Sequence, residues 1–309
     1  MSQHLIAYGA RSLWLAVVLG LAAGVSVRIR LLKVDYRIYP TYPAGVVSHI
    51  ALGFIAAFLA SLPVPALDHK EFTAITFLAL AAQQFREIRA MERQSLEELE
   101  KLLLVPRGGD YIEGIAKVFE ARNYLVMMTS LVASAVGYFF GLVPGLLAGV
   151  VMMLISVHFG QGHTVGEIAD VRPAKLSFDG TLMKIDDIVV MEIGLPEMRQ
   201  IISERGMAVI LVPRNDDARD TLASPGQSQA ILHNASTILG VYRDVDTPEF
   251  MPLARRDLNS GKVGLYLMPM LRDQEVFREI VARSPVLESS LRRPLATALG
   301  RRAKREVDQ

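Results

Sequence analysis

Histidines placed near carboxylates and hydroxyls are the residues of this chain best suited to chemistry. His163 and Glu167, four positions apart, fall on one face of a helix, and with His158 they make its densest set of metal-ligand types. No third ligand follows at a standard spacing, and a turn at Gly160 and Gly162 accounts for the same residues. The run GQGHT, Gly160 to Thr164, lacks the Lys-Ser/Thr pair that a Walker phosphate loop needs. His233 and Asn234 lie in the string GQSQAILHNAS with Ser228 and Ser236, so nucleophile–base pairs can be drawn. No paired carboxylate, oxyanion element or nucleophile elbow accompanies them. Gln227, Gln229, His233 and Asn234 therefore read as polar residues of a helix face that contacts a partner. Glu288 with Ser289 and Ser290 reads as a cap or turn. The absence of cysteine removes disulfides, thiolate chemistry and sulfur-ligated zinc. No catalytic residue, metal site or cofactor is expected.

The elements that must position these residues divide sharply by composition. A mean hydropathy of +0.31 with 51% hydrophobic residues is too apolar for an ordinary soluble enzyme. The 33 basic and 32 acidic residues nearly cancel to +1, so the whole chain carries no nucleic-acid signature and charge effects are local. Crossing a bilayer takes about 20 apolar residues. Ser12 to Val27 is the first such segment, and Arg28, Arg30, Lys33 and Arg37 behind it mark an uncleaved anchor rather than a signal peptide. Ala44 to Leu62 is the second, stopped by Pro63 and Pro65. Phe72 to Ala82 is short, and a re-entrant or interfacial segment is its other reading. The positive-inside rule makes it a crossing, because Arg86, Arg89, Arg93, Lys101, Arg107, Lys117 and Arg122 fill the next loop. Tyr124 to Val157 is long enough for two helices and breaks at Gly141 to Gly145 around Pro144, a helical hairpin. The expectation is about five transmembrane helices in an α-helical membrane domain, residues 1–160, with the N-terminus outside and a cytoplasmic α/β domain of mixed sheet, residues 161–309.

Within the membrane half, Ala133, Ser134, Ala135 and Gly137, and Gly145 with Gly149, are small enough for close helix packing. His49 and Asn123 are the polar candidates for a conduction path, with interhelical hydrogen bonding as the plainer use. In the cytoplasmic stretch 84–122, Phe85, Ile88, Met91, Leu96, Leu99 and Leu102 recur as on an amphipathic helix, with Glu98 to Lys101 on a solvated face. Pro106, Gly108 and Gly109 break that helix. Asp110 is placed to cap the next one, with Glu113 three positions on.

That next helix begins Tyr111, Ile112, Glu113, Gly114, Ile115, Ala116. The string YIEGIA, its flank VPRGGDYIEGIAKVFEARNY with Arg122 and Asn123, the later GQSQAILHNASTILGVYRD and the near-terminal SPVLESSLRRP together resemble the YIEGIA family of membrane proteins from endospore-forming bacteria. The resemblance implies a protein acting during sporulation or in the spore, with a small capping-type companion subunit. It implies no activity.

The polar domain opens with strand signals. Lys175 to Phe178 and Thr181 to Ile185 flank Asp179-Gly180, a hairpin turn, and Ile188 to Ile193 follows. Pro196 and Gly206 bracket a helix, and Met207 to Val212 is a continuous apolar strand of the buried kind. Asn215 and Asp216 cap a helix that Pro225-Gly226 splits. Val263 to Met268, with a helix from Gln274 to Arg283, completes a mixed sheet with helices packed on it. The tail carries Arg292, Arg293, Arg301, Arg302, Lys304 and Arg305, suited either to anionic lipid or to a solvated end. These features point to a non-enzymatic integral membrane scaffold or assembly protein that binds a small protein partner. The alternative is an oligomeric channel or transporter component gated or capped through its soluble domain. Membrane lipid and further copies of the chain are the other partners considered, and nucleic acid is not one.

Overall fold

The computed structural model describes residues 2–35, 43–101, 103–160, 162–242, 248–293 and 296–307. Arg37, Leu102, Gln161, Arg243, Asp244 and Pro294, which figure in the sequence reading, lie outside them, as do the side chains of Arg11, Lys33, Phe85, Arg86, Lys304 and Arg305. The chain forms two compact units. One comprises residues 1–94 and 115–162, the other residues 95–114 and 163–309.

The first unit is helical. Its elements are α1 (Ser2–Asp35), α2 (Pro43–Ser61), the short α3 (Pro63–Asp68), most of α4 (Phe72–Glu100), most of α5 (Gly109–Phe140) and α6 (Leu142–Phe159). Pro63 removes the donor that would continue α2 and takes the first-turn position of α3. Among the described residues, four helices are long and apolar enough to cross a membrane: Leu13–Leu32, Gly45–Asp68, Gly109–Phe140 and Leu142–Phe159. Of the five crossings expected, four correspond to these candidate spans. The apolar run that begins at Phe72 is only the start of α4, which continues unbroken through the charged residues to Glu100. Arg28, placed by the sequence reading just behind the first segment, lies within α1 and is 1% exposed.

Small residues and hydroxyls hold this bundle together. A Cβ on Gly145 would lie 2.8 Å from the Gly137 Cα, and one on Gly20 would lie 2.7 Å from the Ser130 carbonyl oxygen. Close approach exposes backbone carbonyls to neighbouring side chains. Ser130 donates to the Ala57 carbonyl at 2.5 Å, Ser134 donates to that of Ser61 at 2.6 Å, and Thr129 meets Ser156 at 3.0 Å.

The second unit carries two sheets. After the single turn α7 (Val165–Ile168) come β1 (Ala169–Ala174), β2 (Leu176–Asp179), β3 (Leu182–Ile185), β4 (Ile188–Glu192), α8 (Pro196–Arg205), β5 (Met207–Pro213), α9 (Asp216–Leu222) and α10 (Pro225–Leu239). A 3-10 turn at Pro248–Phe250, β6 (Leu253–Arg256), β7 (Val263–Leu267), α11 (Gln274–Arg283) and α12 (Ala298–Val307) follow. One sheet has the order β1-β5-β7-β6 and the other is the meander β2-β3-β4. Every described pairing is antiparallel, where the sequence pointed to a mixed sheet. Strand β5 has its uninterrupted apolar run because it is central and covered on both faces. Val209 and Leu211 join Val263 and Leu265 of β7 under Ile231, Ala235 and Phe277 of α10 and α11. Ala208 and Tyr266 turn the other way, toward Met183 and Ile185 of the meander and Ile202 of α8. Gly264 leaves room there, since a Cβ would lie 3.2 Å from Ile185. The hairpin turn comprises Gly180 and Thr181, with Asp179 paired to Leu182 and Gly180 at φ 63°.

Gly145→Leu should lower the thermal stability of the detergent-solubilised protein by an amount equivalent to about 1–3 kcal/mol, the usual penalty of overpacking. Gly162→Ala, which meets nothing within 4 Å, should leave the melting temperature unchanged.

Candidate functional site

The residues singled out in three distant strings of the sequence meet in the second unit, around α10. Ser224 and Pro225 start this helix, and Gly226 is glycine because a side chain there would run into the Asp110 carboxylate. Asp110 was expected to cap α5. That helix begins one residue earlier, at Gly109, so Asp110 lies in its first turn, where a carboxylate still favours the helix dipole. Tyr111 and Ile112 are each 2% exposed, and the Tyr111 hydroxyl donates to Asn234 Oδ1 at 3.3 Å. Gly114 faces Leu287, with 3.9 Å between its Cβ position and Leu287 Cδ2. Glu113 is half-buried and engaged, Ile115 and Ala116 are buried, and Ser289 donates to the Asp110 carbonyl at 3.5 Å.

Helix α10 uses its polar side chains to satisfy backbone atoms of chain segments that belong to no strand. Gln227 is fully buried, donates to the Pro285 carbonyl at 3.0 Å and accepts from the Leu287 N–H at 2.8 Å. Asn234 donates to Ser284 Oγ at 3.4 Å. Gln229 donates to the Pro106 carbonyl at 2.5 Å, and His233 Nδ1 donates to that of Val105 at 2.7 Å. The four residues expected to meet a separate protein are thus occupied by their own chain. Glu100 also departs from its expected solvated role. Its carboxylate accepts from the Arg107 and Gly108 N–H groups, the latter at 3.0 Å, and its side chain is 13% exposed. Sequence reasoning missed Glu100, Val105 and Gly226, whose partners are more than six positions away. The Gly108-Gly109 pair was the available signal, and Gly108 does adopt φ 87°.

Electrostatically, burial holds the His233 imidazole below its ordinary value and nearby Arg107 adds to the effect, while the Val105 carbonyl and Glu100 oppose it. Its ring is committed at Nδ1, and Nε2 lies 3.5 Å from the Thr237 hydroxyl. His163 and Glu167 pair at 2.8 Å on the exterior, and Thr164 donates to the same carboxylate at 3.1 Å. The His163 hydrogen bond lowers the Glu167 pKa. Among the described residues, no three His, Asp or Glu gather to hold a metal.

The first unit has a polar centre of its own. Arg28 donates from Nε to the His49 carbonyl at 3.1 Å and from Nη2 to His49 Nδ1 at 2.7 Å, with its guanidinium 5.4 Å from the Phe119 ring centre. Arg122 and Asn123 are 3% and 2% exposed, and neither polar atom of Asn123 finds a partner among the described residues.

Four apolar helices of spanning length and a separate sheet-containing unit define a membrane-associated protein of the multi-helix class. The chain belongs to the YIEGIA family, whose description, YIEGIA protein, matches residues 16–297. It is 45% identical over 278 residues to the Uncharacterized protein YphB of Bacillus subtilis (strain 168), an endospore former, covering 90% of this chain and 94% of that protein. No solved structure matches it.

The His233 contribution has a definite sign. A folded-state pKa below the unfolded value of 6.5 favours the neutral ring, so its stabilisation is present above pH 6.5 and is lost as pH falls through the lower folded pKa. Melting temperatures measured from pH 8 to about pH 5 should decline at the acid end, and His233→Gln should flatten that decline.

Proposed function

We propose that this protein is a non-enzymatic membrane scaffold of sporulation or the spore, whose globular unit binds a small protein partner. The observation that carries this reading is the convergence of three signature strings on α10. Their polar groups hold backbone in place, a use suited to presenting a surface rather than to transferring protons or groups. Kinship with a protein of an endospore former supports the sporulation setting. A second reading, a channel or transporter component built from several copies, is favoured by the buried Arg28 and Asn123 and the half-buried His49 among apolar helices.

The globular unit is assigned to the cytoplasm. Residues 95–114 and 163–309 belong to one compact unit, which this reading assigns to one side of the membrane. The basic residues Arg89, Arg93, Lys101 and Arg107 favour the cytoplasm for that side. Arg30, Lys33 and Arg37 behind the first span favour the same side for the loop that follows it, which leaves the N-terminus outside, as five crossings require.

Protein purified in mild detergent from sporulating cells should bring down a small soluble protein in near-stoichiometric amount, and deletion of residues 163–309 should remove it. A homo-oligomer without a partner, with ion flux in liposomes abolished by His49→Ala, would replace this reading with the channel. Reporter fusions after Gln83 and at the C-terminus should both report cytoplasm, and one at the N-terminus should report the outside. An external signal after Gln83 would remove the crossing at residues 72–82.

A further inference from the structure

We propose that residues 103–106 are a releasable strap across α10, and that the donors it uncovers, Gln229 and His233, take an extended peptide segment of a protein partner by its backbone carbonyls. The peptide half rests on the scaffold reading above, whereas the strap half does not.

The strap is held differently from the chain on either side of it. Before it, Leu96 is 3% exposed, and after it Tyr111 and Ile112 are each 2% exposed. Between these anchors, Leu103 and Leu104 are 38% and 59% exposed, and Pro106 is exposed. What α10 grips is the main chain, through the Val105 and Pro106 carbonyls. At the base, the Glu100 carboxylate clasps the N–H groups of Arg107 and Gly108. Segments that bury little apolar surface open locally at far lower free energy than the core around them. Each hydrogen bond to α10 adds little net, because water serves the same groups once the strap opens.

The same geometry defines what could replace the strap. Two donors that read consecutive carbonyls carry no preference for the side chains between them. Val105 and Pro106 supply acceptors alone to α10, and Pro106 has no N–H to offer. An extended segment presenting two successive carbonyls satisfies Gln229 and His233 equally well. Left open to a dry partner surface, these donors would go unsatisfied, so strap and partner compete for one face. The strap therefore lowers the apparent affinity by the fraction of time it is open.

Two measurements on the full-length protein in detergent test this. In hydrogen exchange, the Arg107 and Gly108 amides, both bonded to Glu100, should exchange at least about tenfold faster than the Leu287 amide bonded to Gln227. Equal protection would overturn the strap. The second measurement uses a fluorescein-labelled peptide copying residues 100–109. It should bind Glu100→Gln about tenfold more tightly than the unaltered protein, because loosening the clasp raises the open fraction. Gln229→Ala added to Glu100→Gln should abolish that binding. Fast exchange with no peptide bound by either protein would overturn the peptide site, whatever copurifies from cells. Binding that persists with Gln229→Ala would overturn it equally.

Discussion

Backbone groups drawn away from water must find hydrogen-bond partners, and in the globular unit the segments around residues 105–108 and 284–287 lie outside the named strands, the second joined to residues 163–165 only by an isolated antiparallel bridge. Helix α10 and Glu100 meet that requirement. Gln227 serves both a donor and an acceptor of the second segment, Gln229 and His233 serve carbonyls of the first, and Glu100 receives its two free amides. The rest of this region follows from these bonds. Gly226 must lack a side chain so that Asp110 can lie beside the start of α10, and Tyr111 is buried where its hydroxyl reaches Asn234. Leaving any one of these groups buried and unmatched costs about 1–3 kcal/mol, so the sites depend on one another.

The helical unit solves a related problem with the opposite materials. Lipid offers helices little hydrophobic reason to associate, so contact comes from close packing and from hydroxyls that reach a neighbour's carbonyl. Gly20, Gly137 and Gly145 permit the approach, and Ser130 and Ser134 make the bonds. Arg28 is accommodated by the same logic, with its guanidinium shared between both acceptors of His49 and the face of Phe119.

Helix α5 belongs to both units, its first residues grouping with the sheets and its remainder with the spans. The YIEGIA string sits across that division. Its Tyr111 and Ile112 anchor in the globular unit, while Arg122 and Asn123, one to two turns beyond Ala116, are buried in the helical one.

Much of this organisation was legible in the residues. Apolar length disclosed four of the spans, Pro196 and Gly206 bracketed α8, Asn215 capped α9 by accepting from Ala218, and the strings in the sequence identified the family. These are local properties, decided by hydropathy over a turn or two, by proline's missing N–H and by a cap three residues from its donor. The apolar run at Phe72 did not reveal that its helix continues through charges to Glu100, because hydropathy marks only the segment it covers. The tertiary structure alone decided that Glu100 leaves solvent, that Asp110 faces Gly226 across 116 positions of sequence, and that His233 holds Val105 rather than a nucleophile. A residue's type shows which bonds it can make, but only the fold brings the partner within reach.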